Sequence, residues 1–380
     1  MTQHSLRNVW MVSNSAWYLF NFRAGLIKGL LGAGYSVTVC SPPDAYLERL
    51  TGLGVSHVEL RLNPAGTNLL REIATLWHLW RLLHLHRPRV LLTFTPKVNI
   101  YFALVAGALR IACIPNVSGL GRAFTAGGWL EAVARTLYRL AFRSVQMVFF
   151  QNRDDRDLFV RSGFVESEAC RTVPGAGIDL QHFSPAFIDA PRTGAFRFLL
   201  AGRMLWDKGI GEYVEATRIV KAQFPHVECG LLGFLDVNNP AAISGAQIDA
   251  WRSEGVVQYH GATDDVRPLM AASDCVVLPS YREGTPRSLL EAAAMGIPVI
   301  ATDAVGCREV VDDGVTGLLC RLKDASDLAE KMIRMLNLSL PARSEMGRCG
   351  REKMVREFDQ ALVVRAYQDS LRLVFADNSV

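Results

Sequence analysis

None of the eight cysteines in this chain is spaced C-x-x-C, and none stands with histidine at zinc-ligand spacing. That argues against a thioredoxin-type redox motif and a cysteine–histidine zinc site. Cys40, Cys113, Cys229 and Cys275 fall in apolar segments and read as core thiols, which fits a reducing compartment. No apolar run is long enough to span a bilayer, since the stretch Ile100–Leu109 stops at Arg110. Met1–Asn8 is polar, and the apolar segment after it is broken by Ser13, Asn14 and Ser15, so no signal peptide is expected. After the first predicted strand, Val9–Ser13, the chain reads Asn14-Ser15-Ala16-Trp17 where a dinucleotide-binding domain has G-x-G-x-x-G. That speaks against NAD or FAD chemistry. Neither a solenoid-period repeat nor a recognisable nucleic-acid module is present.

What is present fits a globular α/β protein. Hydrophobic residues make up 50% and charged residues 21%, so a packed core is expected rather than disorder. With 380 residues the chain is long enough for two domains, each with its own core. Residues 1–150 hold fifteen Lys/Arg and five Asp/Glu, a balance of +10; the whole chain is +4, so the remainder carries −6. A basic first half faces something anionic: lipid headgroups, a diphosphate-bearing substrate, or nucleic acid. Without a nucleic-acid module, an anionic membrane surface ranks first and nucleic acid is not expected.

The segment Asp274–Gly317 is the most informative. Cys275–Leu278 reads as a buried parallel strand, ended by Pro279. Ser280–Gly284 is a polar loop. Thr285 is placed to cap a helix, with Pro286 at its first position and Gly296 as its stop. Pro298–Ala301 is the next strand. Glu283 in the loop and Glu291 in the helix bracket a helix N-terminus that favours an anion. Glu291 lies roughly 9 Å along the predicted axis, at about 1.5 Å per residue. That interval suits a diphosphate with a sugar on one side and a ribose on the other, and carboxylates accept paired hydroxyl hydrogens well. Taken singly, each glutamate reads equally well as a solvated polar residue.

E-G-T-P-R-S-L-L-E, with the following A-M-G-I-P-V-I-A-T and G-C-R-E-V-V-D-D-G-V-T-G-L-L, resembles the E-x7-E signature of family 4 glycosyltransferases. These are retaining, nucleotide-sugar-dependent enzymes of GT-B fold, and the resembling subgroup builds bacterial surface polysaccharide or lipid-linked oligosaccharide. The resemblance implies two Rossmann-like domains facing across a cleft: residues 1–183 with a C-terminal helix at about 362–380, a linker at 184–195, and a nucleotide-sugar domain at 196–361. It also implies a UDP-sugar donor carrying a hexose or N-acetylhexosamine, a polyprenyl-diphosphate-linked saccharide acceptor, and neither cofactor nor metal. The expected location is cytoplasmic, peripheral at the inner membrane face. A nucleotide-sugar 2-epimerase, a transferase with a soluble acceptor and a non-catalytic donor-binding subunit remain open.

Other candidates lie at strand ends. Phe198–Ala201 is a predicted strand followed by Gly202-Arg203, and Lys208-Gly209 opens a helix to about Gln223. Arg203 and Lys208 thus flank a strand-to-helix turn, a fitting place for two cations to hold a diphosphate. Their spacing matches the family pair that grips the donor phosphates. With Glu283 they form the candidate catalytic set, while Glu291 is expected to hold the ribose and Gly284, Thr285 and Pro286 to add backbone contacts. By resemblance, Val257 and His260 border the base pocket, and Arg23, in the aromatic segment Trp17–Arg23, meets acceptor phosphate. The Thr95-Pro96-Lys97 turn ends the strand Val90–Thr95, where open α/β sheets place ligands. Ser118 stands where many family members carry a histidine, and Gly119 and Gly121 beside it allow backbone to approach a phosphate. Arg308–Val311 is expected to begin a helix. Asp154, Asp155 and Asp157 read as complements to a helix N-terminus rather than metal ligands. Two helices suit a membrane surface: Trp129–Arg143, which is amphipathic, and Leu69–His86, where a core-covering role is preferred.

Overall fold

Short apolar strands alternate with helices through almost the whole chain, and that order produces parallel sheets. The computed structural model describes residues 7–62, 69–119, 128–187, 194–235 and 239–377. They form two units, Met1–Gly177 with Gln360–Val380, and Ile178–Asp359.

In the first unit the chain runs β1 (Asn8–Val12), α1 (Ala16–Gly32), β2 (Ser36–Ser41), α2 (Leu47–Thr51), β3 (Ser56–Glu59), α3 (Leu69–His86) and β4 (Val90–Phe94). It continues through α4 (Pro96–Leu109), β5 (Ala112–Val117), α5 (Gly128–Ala141), β6 (Val148–Phe150), α6 (Arg153–Arg161) and β7 (Cys170–Thr172). The sheet order is β3-β2-β1-β4-β5-β6-β7, all parallel. Central strands are apolar at nearly every position, as burial on both faces requires; every residue of β4 is buried. Ser15 caps α1 by accepting from the Tyr18 N–H, and Asn152 caps α6 through the Asp155 N–H at 2.7 Å, with Asp154 and Asp155 in the first turn.

The second unit runs β8 (Arg197–Ala201), α7 (Ile210–Gln223), β9 (Glu228–Leu232), α8 (Gly245–Ser253), β10 (Gln258–Tyr259), α9 (Arg267–Ala271) and β11 (Cys275–Leu278). Then come α10 (Arg287–Ala294), β12 (Val299–Thr302), β13 (Gly317–Cys320), α11 (Ala325–Asn337) and α12 (Leu340–Lys353). Its parallel sheet is ordered β10-β9-β8-β11-β12-β13. The last helix, α13 (Gln360–Asp377), rejoins the first unit. There Val363, Tyr367, Leu371 and Val374 enter the core that holds Val9 and Met11. Burying such side chains contributes about 1.5–3 kcal/mol each, enough to hold a terminal helix in place.

Three expectations change. The division falls at Gly177/Ile178 rather than after residue 183. Ile178 and Phe183 pack into the second unit's core, and Arg351 donates to the carbonyls of Leu180 and Phe183. Half of the expected linker, residues 188–193, lies outside the described residues, as do Leu120 and Gly121. Secondly, Arg308–Val310 forms turns rather than a helix start: the Glu309 carboxylate accepts from the Gly306 N–H at 2.8 Å, which closes the loop on itself. Thirdly, α3 covers the core with only one face. Leu79 and Leu83 are fully buried, while Ile73, Trp77, Trp80 and Leu85 are exposed.

Each sheet has one place where the strand order reverses, between β1 and β4 and between β8 and β11. The loops leaving such neighbouring strands run to opposite sides, which opens a crevice at their carboxyl ends.

Candidate active site

At the second unit's reversal three loops meet. The first follows β8 and carries Gly202–Gly209, the second follows β11 and carries Pro279–Pro286, and the third follows β12 and carries Asp303–Glu309. Backbone bonds lace them together. The Tyr281 N–H and the Ser280 hydroxyl both donate to the Asp207 carbonyl, at 3.0 and 3.2 Å, and the Glu283 N–H donates to Val305 at 3.0 Å. Two glycines make the approach possible. Gly209 has φ +70°, and a Cβ there would overlap the Pro279 carbonyl; Gly306 has φ +86°, and a Cβ there would overlap Glu283.

This lacing brings the Lys208 ammonium onto Glu283 Oε1 in a direct ion pair. The two side chains are 17% and 14% exposed, so the pair is shielded yet reachable. An ammonium has three donors and a carboxylate about four acceptor positions, so each partner keeps capacity for a ligand. Arg203, on the same loop as Lys208, is exposed and makes no ion pair or side-chain hydrogen bond among the described residues. The site therefore holds two cations on one loop and an acid on the next, the charge set that suits a sugar diphosphate. Cys307, from the third loop, lies close enough to feel both charges, but burial pushes its thiol well above the ordinary range.

The helix carrying Glu291 begins one residue later than expected. Pro286, not Thr285, is the N-cap residue, and its carbonyl accepts the first bonds from Leu289 and Leu290. Glu291 is buried and accepts from Arg287 Nε at 2.6 Å, one turn earlier. Burial raises its pKa, and the Arg287 charge opposes the rise. Arg287 is a neighbour that the sequence reading missed; its position four residues before Glu291 was the available signal. Gly284 and Thr285 lie half-buried in the loop before α10.

The other candidates separate from this cluster. Val257 is 3% exposed and packed in the second unit's core, and it lines the same open hollow as His260. His260 is exposed at the end of β10, and its N–H donates to Leu231 at 2.9 Å. It lines an open hollow of about 590 Å³ with Asp249, Arg252, Ser253 and Tyr259, to which neither Lys208 nor Glu283 contributes.

In the first unit Arg23 is not a surface cation. It is 1% exposed and donates to the Gly175 carbonyl at 3.4 Å, and to Tyr18 Oη and Asn116 Oδ1, each at 3.2 Å. Its guanidinium stands over the Phe94 ring at 4.5 Å, and Asn116 in turn donates to Tyr367 Oη on α13 at 2.8 Å. That is a structural network, and it corrects the expectation of a phosphate contact. Lys97 pairs with Glu72 of α3 at 2.8 Å, and the Tyr101 hydroxyl shares the same carboxylate at 2.7 Å. Ser118 and Gly119 follow β5 in a half-buried loop, with Gly119 at φ +135° and open space where a Cβ would stand. Thr95, at the first unit's reversal, has φ +78°, a strained conformation for a β-branched residue.

Two doubly wound parallel sheets, the second with a charged crevice at its reversal, make up a GT-B fold. A model described as glycosyl transferase 4-like domain matches residues 22–176, and one described as glycosyl transferases group 1 matches residues 195–338. The chain belongs to this glycosyltransferase family. It is similar to the N,N'-diacetylbacillosaminyl-diphospho-undecaprenol alpha-1,3-N-acetylgalactosaminyltransferase of Campylobacter jejuni, 28% identical over 86% of this chain and 88% of that one. It is also similar to the UDP-Gal:alpha-D-GlcNAc-diphosphoundecaprenol alpha-1,3-galactosyltransferase of Escherichia coli, 23% identical over 70% and 71% of the two chains. Among solved structures, Anabaena HepE in complex with UDP superposes with a TM-score of 0.76 at 19% identity, over 96% of this chain and 99% of that one.

Proposed function

We propose that the enzyme transfers a hexose or N-acetylhexosamine from a UDP-sugar to a saccharide carried on polyprenyl diphosphate, with retention at the anomeric carbon. The observation that carries this reading is the Lys208–Glu283 pair at the strand-order reversal of the second sheet. The named relatives, whose acceptors are diphosphoundecaprenol saccharides, support the substrate classes. In this reading the donor's bond between C1 and the β-phosphate oxygen breaks as the acceptor hydroxyl oxygen bonds to C1 on the same face. The hydroxyl proton passes to the departing phosphate, so the products are UDP and the lengthened glycan. Lys208 and Arg203 neutralise the charge growing on that diphosphate, a role that requires no metal. Glu283 orients the donor sugar's hydroxyls, the loop Gly284–Pro286 offers backbone groups, and Glu291 binds the ribose. The acceptor is received at the carboxyl ends of the first unit's strands, where the strained Thr95 follows β4 and the Ser118-Gly119 loop follows its neighbour β5. The enzyme works at the inner face of the cell membrane as a peripheral protein.

The test is a screen of labelled nucleotide sugars against a membrane lipid extract, followed by mass spectrometry and anomeric NMR of the labelled glycolipid. A retained linkage on a polyprenyl-diphosphate glycan is expected, and it should vanish with Lys208→Ala. Labelling of a water-soluble acceptor alone, or isomerisation of the nucleotide sugar without acceptor, rejects the proposal.

A further inference from the structure

The first unit carries an apolar surface that the chemistry above does not use. On α3, Ile73, Trp77 and Trp80 recur at spacings of four and three, so they share one helix face, and they are 56%, 61% and 42% exposed. A different face, with Leu79 and Leu83, is what enters the core. Folding therefore does not explain the tryptophans, since an exposed indole stabilises little. Their setting is basic. Arg81 and Arg87 are exposed along the same segment, and the Arg81 guanidinium lies 5.9 Å from the Trp77 ring centre. The one acid of α3, Glu72, turns away to Lys97 and Tyr101 and adds no negative charge to this face. Helix α5, packed on the same α4, also exposes Val133, Arg139 and Leu140, with Arg143 exposed just beyond its end.

We propose that α3 lies flat in the headgroup layer of an anionic bilayer, with Trp77 and Trp80 inserted at the polar–apolar boundary and the arginines on acidic phospholipids. Indole rings favour that boundary, and each basic residue near it adds electrostatic attraction. No described helix is long and apolar enough to cross a membrane, so a surface contact is the form this face fits. A second copy of the chain is a poorer partner, because a two-fold contact would set these arginines against themselves. The proposal rests on the lipid-linked acceptor proposed above and names the surface that brings the enzyme to it.

Vesicle co-sedimentation of the full chain tests it. Phosphatidylglycerol-rich vesicles should bind the protein at least ten-fold more tightly than phosphatidylcholine vesicles, with a blue shift of tryptophan fluorescence. The double variant Trp77→Ser/Trp80→Ser should lose about ten-fold in that binding while its melting temperature and UDP binding stay unchanged. Equal binding by variant and wild type, no binding by either, or a dimer that the variant dissolves overturns the proposal. If vesicle binding depends on the tryptophans yet no lipid-linked glycan is labelled, the membrane face stands and the acceptor assignment falls.

Discussion

Lys208 and Glu283 stand 75 positions apart in the chain and meet as an ion pair where β8 and β11 lie side by side. Neither is near the other in sequence. The reversal of strand order delivers both loops to one crevice, and the backbone lacing through Asp207 holds them there.

Removing either partner should be costlier to transfer than to folding. Lys208→Ala and Glu283→Ala are each expected to lower the transfer rate at least about 100-fold, the usual scale for losing one stabilising group at a developing charge. The stability loss should be about 1 kcal/mol, since the pair remains partly solvated. Initial rates and urea denaturation of the same preparations separate the two effects. A variant with full activity removes that residue from the proposed machinery.

Glu291 should leave a signature in the pH dependence of stability. Burial raises its pKa above 4.5, so the folded protein keeps the proton at pH values where the unfolded chain has released it. Its contribution is therefore most favourable below 4.5 and declines as pH rises through the folded value. Glu291→Gln should flatten that part of the profile in denaturant titrations run at several pH values. The same variant should weaken UDP binding about ten-fold, or about 1.4 kcal/mol, in calorimetry.

Gly209→Ala should damage the site through the backbone. Its positive φ and the Pro279 carbonyl beside it leave no room for a methyl group. A loss of about 2 kcal/mol is expected, with a parallel fall in activity as Lys208 is displaced. Gly202→Ala, on the same loop with open space at the Cβ position, should be within about 0.5 kcal/mol of wild type and is the control.

Arg23→Leu should reveal a structural role. It leaves the Tyr18 hydroxyl and the Gly175 carbonyl without their buried donor, and a cost of about 2–4 kcal/mol is expected. Arg23→Lys should not restore stability, because one ammonium cannot reproduce the planar fork. Wild-type stability in Arg23→Leu would contradict the network.

Thiol titration should find few reactive groups. Seven cysteines are buried, and burial pushes Cys40 and Cys113 up to about 12. In the native protein Ellman's reagent should modify about one thiol rapidly, Cys349, and Cys349→Ser should remove that phase.

Much of this molecule was legible before folding. The apolar runs that became β1, β4, β8 and β11 were visible because parallel strands buried on both faces need continuous hydrophobic sequence. The spacing of Glu283 and Glu291 and the place of Lys208 at a strand-to-helix turn were visible because strand–loop–helix grammar is local. The fate of individual charges was not legible. Arg23, midway along α1, and Arg203, in the loop after β8, are the same residue type, yet one is sealed among Tyr18, Phe94 and Asn116 and the other is open to solvent. Likewise Trp77 and Leu79 sit two positions apart on one apolar helix, one exposed and one in the core. Sequence by itself determined the elements, their order and the chemistry available at their ends. Tertiary structure alone decided which end groups meet and which side of a helix is covered, because that depends on strands paired across long separations, and no local pattern encodes such pairing.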